Sequence, residues 1–459
     1  MRLKAFSMRL GARFAATLVF VLGIGTQGLF AWDDHGQLSA RSLATQDWAG
    51  QEVQAESLDD FLAATKLELA KLLTAVEAKA KKDYSSYRPL PASLVFDPSA
   101  EGPALRSSFI GAIRVNPNMP FPLFLQVPVG GDRKGRPDLA LNAVSLGELR
   151  LPNGPFISLA PGERATAIEV VESACDEPDY GMDFGLYEDN GTDWGSRYGF
   201  GIQPWGNPKL SYGTQAPFHM SFDNEPGILH SLAKWTTESN SGYRIDLYSA
   251  LARFAFATGH DYWGWRFAGW ALHYVQDLTQ PYHASIMPSK TTFALIWMNA
   301  FGSKATKDGA VTLLSNRHLI FEDYQYELMA HWTGDPAANP AYAALVGSDG
   351  VDSRLPPPPK DFSAKAWAIE IVAAQSRARG RELDRAIVAT FPAKYVSDPS
   401  FDYGAWQSET KSAYDPLAEL LAQDPTKAQA FDLVLAKSLR ETGEASRLFM
   451  QSLAADLPR

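Results

Sequence analysis

Eight histidines are all that 459 residues supply, and seven of them (His219, His230, His260, His273, His283, His318 and His331) fall between positions 219 and 331. The eighth, His35, lies near the start of the chain. The stretch HYVQDLTQPYH, residues 273–283, sets His273 and Asp277 four apart on a predicted helix. Both side chains then leave one face of that helix and could share an ion. Pro281 ends the helix by restricting Gln280, and the turn brings His283 back beside the helix end. RHLIFED repeats the spacing with His318 and Glu322. Neutral imidazole together with carboxylate suits Zn²⁺ with positions left for water or substrate. A single pair of this kind reads equally well as a helix cap or a surface ion pair. Composition gives about one His-x-x-x-Asp/Glu pair by chance, and this chain has four, because His219–Asp223 and His331–Asp335 also qualify.

The elements that must position these residues are mostly helical. SLDD starts a helix over Ser57–Tyr84, with Leu58, Phe61, Leu62, Leu67, Leu69 and Leu72 at helix-like spacing. Residues 86–168 are rich in proline and glycine and carry short apolar runs such as SFIGAI and LFLQVPV. They read as an irregular, β-containing insertion. Residues 172–227 read as loop. Helices resume with DLYSALARFAFAT, stopped by Gly259, and with DYWGWRFAGWALHYVQDL. RLPPPPKD breaks the chain at 354–361, and two amphipathic helices follow within 362–459. The expected fold is mainly α, a single multi-helix domain over residues 32–459.

Bulk properties narrow the chemistry. The formal charge is -10, and without residues 1–31, which hold Arg2, Lys4, Arg9 and Arg13 and no acid, it is -14. Such a chain is not built to grip polyanions through basic patches, so an anionic substrate would need a metal to supply positive charge. The basic start leads into FAATLVFVLGIG (Phe14–Gly25), an apolar run short for a bilayer span and fitting a secretory signal cut before Trp32. The expected location is therefore secreted or periplasmic. One cysteine, Cys175, allows no internal disulfide, and it reads as a buried bystander. His260 reads as a helix-end cap, His230 and His331 as surface or packing residues. Trp263, Trp265, Phe267, Trp270 and Tyr274 read as core.

HYVQDLTQPYH followed by a His-x-x-x-Glu pair resembles the trinuclear zinc motif of the zinc-dependent phospholipase C and single-strand nuclease superfamily. In that family the mature chain begins with tryptophan, whose α-amino group and carbonyl oxygen bind zinc. Trp32 and His35 would take the N-terminal positions here. The histidine upstream maps onto APFHMSFD, giving His219. The upstream aspartate lies in ESACDEPDYGMD, where the PDYG setting favours Asp179 over Asp176, with Asp183 as a third candidate. The resemblance thus implies three zinc ions. Asp179, His219, His273 and Asp277 would surround one, and His283, His318 and Glu322 would hold a second. Trp32 and His35 would hold a third, bridged to the first by Asp277.

The resemblance further implies phosphodiester hydrolysis by metal-activated water, with Asp179 orienting or deprotonating that water. Glutamate at position 322 tilts the reading to the phospholipase C branch, with phospholipid as substrate, transient contact with a membrane surface and no stable protein partner. A single-strand nuclease or 3′-nucleotidase is the alternative on the same scaffold, since base stacking could supply affinity for nucleic acid. A non-catalytic protein stabilised by zinc is the alternative from another class. Tyr180, Phe218 and Trp194 are candidates to line a substrate pocket.

Overall fold

In α1 (His35–Leu43) nearly every side chain is buried, and the chain then enters a short strand, β1 (Glu52–Gln54). The helix expected over 57–84 is α2 (Leu58–Asp83), capped by Ser57 Oγ accepting from the Asp60 N–H at 3.1 Å. Its core face is Leu58, Phe61, Leu62, Thr65, Leu69, Val76 and Ala80. Leu67 is instead 61% exposed. The computed structural model describes residues 34–128, 131–147, 155–331, 335, 338–351, 355–410 and 414–455. Residues 1–31, on which the expected secretory signal falls, and Trp32 lie outside the described residues, as does the His331 side chain.

The region 86–168 is indeed β-containing. Strand β4 (Phe156–Ser158) lies between β2 (Phe124–Gln126) and β3 (Asp138–Leu139), antiparallel to both, with Leu125 and Asp138 each opposite Ile157. β5 (Arg164–Thr166) pairs with β1 through Val53 opposite Ala165. SFIGAI is not a strand but part of a helix, Gly102–Ala112, which has proline in its first turn.

Residues 172–227, expected as loop, hold the end of α3 (Ala167–Cys175), several helical turns and α4 (Ser211–His219). The missed signal is TAIE. Thr166 Oγ1 accepts from the Glu169 N–H, and the Glu169 carboxylate accepts from the Thr166 N–H, which makes a capping box.

Next come α5 (Ser241–Ala257) and α6 (Asp261–Asp277), packed closely on each other. Gly259, at φ +81°, turns the chain between them, and the His260 N–H reaches back to the Ala255 carbonyl at 2.9 Å. His260 therefore caps α5 through its backbone. Its ring sits 2.8 Å from Glu56 Oε1 instead. On α6, Trp263, Trp265, Phe267, Trp270 and Tyr274 have no exposed surface. Burying each such ring contributes roughly 1.5–3 kcal/mol. The chain continues through α7 (Thr292–Phe301), α8 (Lys304–His331), α9 (Ala374–Thr390) and α10 (Pro425–Ala454). α6 is the hub, in contact with α3, α5 and α10, while α1 rests on α3 and α10. Mainly α is the fold class observed.

Two positions, one on α6 and one on α3, lend themselves to test. A Cβ on Gly269 of α6 would stand 2.7 Å from the Ala174 Cβ and 3.0 Å from the Val171 carbonyl oxygen. Gly269→Ala should therefore push the helices apart and cost about 1–3 kcal/mol, read as a lower Tm. Glu172 on α3 is pushed up to about 8 by burial, with Asp176 and Glu169 adding to the rise. A raised folded-state pKa means that its contribution is complete below the unfolded value near 4.5 and is lost as pH climbs through about 8. Denaturant melts of wild type should lose stability across that window, by at most about 5 kcal/mol, and Glu172→Gln should flatten the loss.

Candidate metal centre

Six segments deliver the clustered side chains. His35 opens α1, His219 is the last residue of α4, and His273 and Asp277 occupy the last turns of α6. His283 follows in the loop, and His318 and Glu322 sit one turn apart within α8. Asp179 comes from the helical turn Glu177–Tyr180 just after α3. The placement of Asp277 is electrostatically unusual. The carbonyl end of a helix is already partly negative, and a carboxylate there calls for a cation.

Asp277 Oδ2 lies 3.0 Å from His219 Nδ1 and 3.3 Å from His273 Nε2, and those two nitrogens are 3.0 Å apart. Asp179 Oδ1 is 3.7 Å from the first nitrogen and 3.9 Å from the second. Donors at about 2.0–2.2 Å from one small divalent ion stand about 3.3–3.6 Å apart, and these separations, from 3.0 to 3.9 Å, lie close to that spacing. The other oxygen of Asp277 faces away, 3.6 Å from His35 Nε2 and 3.3 Å from His283 Nδ1. The far nitrogen of His283 is 4.0 Å from Glu322 Oε1, which is 2.7 Å from His318 Nε2. Three groups of donors result: His35, His273 and Asp277; Asp179, His219 and His273; His283, His318 and Glu322. All are buried, and each could hold a metal ion. Eight of the nine residues named from the sequence thus lie together, and the ninth, Trp32, is outside the described residues.

Neighbouring groups fix the rings. His273 Nδ1 lies 2.7 Å from the Cys175 carbonyl, so it carries the proton and Nε2 presents a lone pair. His35 Nδ1 is held by Gln276 Oε1 at 2.9 Å. His219 Nε2 is turned toward Asp183 Oδ2 at 3.5 Å, which leaves Nδ1 facing the lone pair of His273. Two imidazole nitrogens at 3.0 Å require a proton or a cation between them. Among the described residues, neither oxygen of Asp277 and neither nitrogen of His283 has a hydrogen bond, although all four atoms are buried. Orphaned polar atoms in such number are what a bound cation would satisfy.

The charge balance agrees. Burial would lower His219, but Asp277, Asp183 and Asp179 push it up to about 10. Burial also opposes a charged His35, and the same pair Asp277 and Asp179, with Asp176, raises it. Burial, with His35 and His219 alongside, keeps His273 well below the usual imidazole range. For Asp277 burial works upward, and the surrounding histidines overcome it and hold it well down. Asp179 is pushed up to about 7, chiefly by burial.

Sequence spacing left three aspartates open, and the structure gives each a different place. Asp179 faces the cluster, with Gln215 Nε2 donating to its Oδ1 at 2.8 Å. Asp176 accepts from the Gly36 N–H and from Gln126 Nε2, both at 2.8 Å, tying α1 to β2. Asp183 accepts from Arg244 and from Tyr274. Burial would raise its carboxyl, but Arg244 and His219 hold it below the ordinary range. The region 86–168 therefore reaches the support of the cluster through Gln126, which holds Asp176 against the start of α1.

Gln126, Gln215, Gln276 and the Cys175 carbonyl went unnoticed in the sequence, and only Gln276, one residue before Asp277, carries a local signal. Cys175 has its thiol buried and pushed well above its ordinary range, mainly by that burial. Tyr180 and Phe218 are core residues with 1% and 0% exposure, and Trp194 is half-buried against the same core. His230 is taken up locally by Thr236 Oγ1 and the Asp223 carbonyl.

A scan against protein-family models and searches of curated proteins and of solved structures return no match for this chain.

Shared use of Asp277 gives a direct test by metal analysis of purified variants. Asp277→Asn should deplete the two groups that its oxygens face, whereas His318→Ala should remove about one ion and leave the rest. Chelation should lower the Tm of wild type, because it leaves Asp277 buried and uncompensated. Wild-type metal content in Asp277→Asn would exclude the arrangement.

Proposed function

We propose that this chain is an exported, zinc-dependent phosphodiester hydrolase similar to the zinc phospholipases C, with phospholipid as its substrate. The observation that carries this reading is Asp277, one buried carboxylate whose two oxygens face two separate sets of imidazoles. Mixed imidazole and carboxylate donors with short edges favour zinc over the all-oxygen preference of calcium or magnesium. Residues 1–31, with their basic start and short apolar run, support export.

Asp179, His219, His273 and Asp277 would hold one zinc, and His283, His318 and Glu322 another. His35, with Trp32, would hold a third. Bound zinc would supply positive charge to the phosphoryl and leaving oxygens and make water more acidic. The chain's own base is Asp179, which at 8% is the most exposed of the clustered residues, while the others are at 2% or below. Its carboxylate takes the proton from the attacking water as the new P–O bond forms. The leaving alcohol oxygen departs with the electron pair of the broken P–O bond and is protonated in turn. Gln215 holds Asp179 in orientation through Oδ1.

The near-complete burial of the other clustered residues supports a second reading, in which the ions serve only to stabilise the fold. Zinc analysis combined with assays on phosphatidylcholine and single-stranded DNA, with and without chelator, separates the two. The expected result is chelator-sensitive release of a phosphorylated head group. Asp179→Asn should lower kcat about 10²–10⁴-fold while the protein keeps its fold, and His273→Ala should abolish activity and lose metal. Cleavage of DNA alone would move the assignment to a nuclease. Bound zinc without either activity would establish the structural reading, and a protein that binds no zinc would overturn both.

A further inference from the structure

The loop between His283 and His318 carries α7, and α7 turns its largest side chains outward. Phe293, Trp297 and Phe301 are 72%, 57% and 69% exposed. They recur every four residues, so they form one ridge along the helix, with ring centroids 6.1 Å and 4.5 Å apart. Leu295 and Asn299 face the opposite way into the protein, which fixes the rotation of α7 and holds the ridge outward. Rings this large, exposed side by side, make an apolar patch of roughly 300–500 Å², the size at which a surface patch has a function.

The charge around the ridge is as unusual as its exposure. The chain has 52 acidic residues, yet from Leu278 through Lys307 there is not one Asp or Glu. Lys290 precedes the helix and Lys307 follows it, and neither has an ion-pair partner among the described residues, whereas Lys304 pairs with Asp308. An aromatic ridge flanked by lysines, on an otherwise acidic surface, complements a lipid headgroup layer. Tryptophan and phenylalanine enter the boundary between headgroups and acyl chains, and lysine stays with the phosphates. A second copy of this chain would bring its own net negative charge, which makes it the poorer occupant.

We propose that the Phe293–Trp297–Phe301 ridge of α7 is a membrane-docking surface that seats the protein on a phospholipid bilayer. The ridge is coupled to the metal centre by packing. Leu295, Ile296 and Met298 join a small core with Ala216 and Met220, which flank His219, and with Ile286 and Met287, just beyond His283. A bilayer held on α7 would therefore rest on the same small core that packs beside the residues delivering two of the clustered histidines. As an aid to turnover, the ridge rests on the phospholipid reading above; as a binding surface, it stands apart from it.

Co-sedimentation with phosphatidylcholine vesicles, with and without phosphatidylglycerol, tests the binding. Wild type and His273→Ala should both bind. Phe293→Ser/Trp297→Ser/Phe301→Ser should bind about tenfold more weakly or worse, with an unchanged Tm, since these side chains carry little of the core. Lys290→Gln/Lys307→Gln should lose affinity mainly for the anionic vesicles, and most at low salt. On monomeric short-chain phosphatidylcholine the triple variant should match wild type, and on vesicles it should fall behind. Failure of all hydrolysis with vesicle binding intact would sink the catalytic reading and leave the docking surface standing. Wild type that does not bind vesicles, a triple variant that binds them as well as wild type, or a triple variant whose only change is in self-association would each overturn the docking proposal.

Discussion

A carboxylate with no exposed surface, at the carbonyl end of a helix and with no hydrogen bond to either oxygen among the described residues, is tolerable only where positive charge faces it. Asp277 is that carboxylate, and much of the architecture can be understood as the means of surrounding it. α6 is buried along its whole length by aromatic side chains, so its last turn cannot swing toward solvent. α1, α4 and the loop after α6 then close on that turn from three sides, each with an imidazole. The core supplies rigidity, and the rigidity holds donors that repel one another at separations near 3 Å.

The segment 176–183 does the complementary work. It places four acids within eight residues and sends each to a different part of the fold. Asp176 joins the start of α1 to β2, and Glu177 takes Arg266 and Trp270 of α6. Asp179 turns to the cluster, and Asp183 takes Arg244 of α5 together with Tyr274. Arg244 and Arg266 are buried. A lone buried guanidinium would be costly, and the bidentate contact of Arg266 with Glu177 satisfies both partners. These ion pairs hold the elements in register around the centre.

Much of this was legible before the fold was known. His273, Asp277, His283, His318 and Glu322 could be named because helical spacing and a proline turn are local and leave a pattern in the sequence. The long apolar helices were legible for the same reason. The choice between Asp176 and Asp179 was not, because both lie in one acidic turn and only the distant partners Gly36, Gln126 and Gln215 tell them apart. Leu67 does not belong with the other leucines of α2: nine residues from Leu58 and two from Leu69, it falls on the opposite face of the helix, and it is exposed. TAIE was readable as a capping box, but the glycine- and aspartate-rich stretch that follows obscured it. His260 looked like a cap through its charge and became one through its backbone, while its ring found Glu56 from across the chain.

The distance in sequence between the two ends of the cluster has a bearing on how the protein comes to be folded. His35 and Gln276 touch although 241 positions separate them, and contacts of that range form late, after local helices and the aromatic core have closed the intervening chain. α1 rests on α3 and α10, so its seat is built from parts of the chain that lie far apart in sequence. In a small zinc module the ligands lie close together in sequence; here the donors of one group come from positions as far apart as His35 and Asp277, so the fold itself has to bring them together.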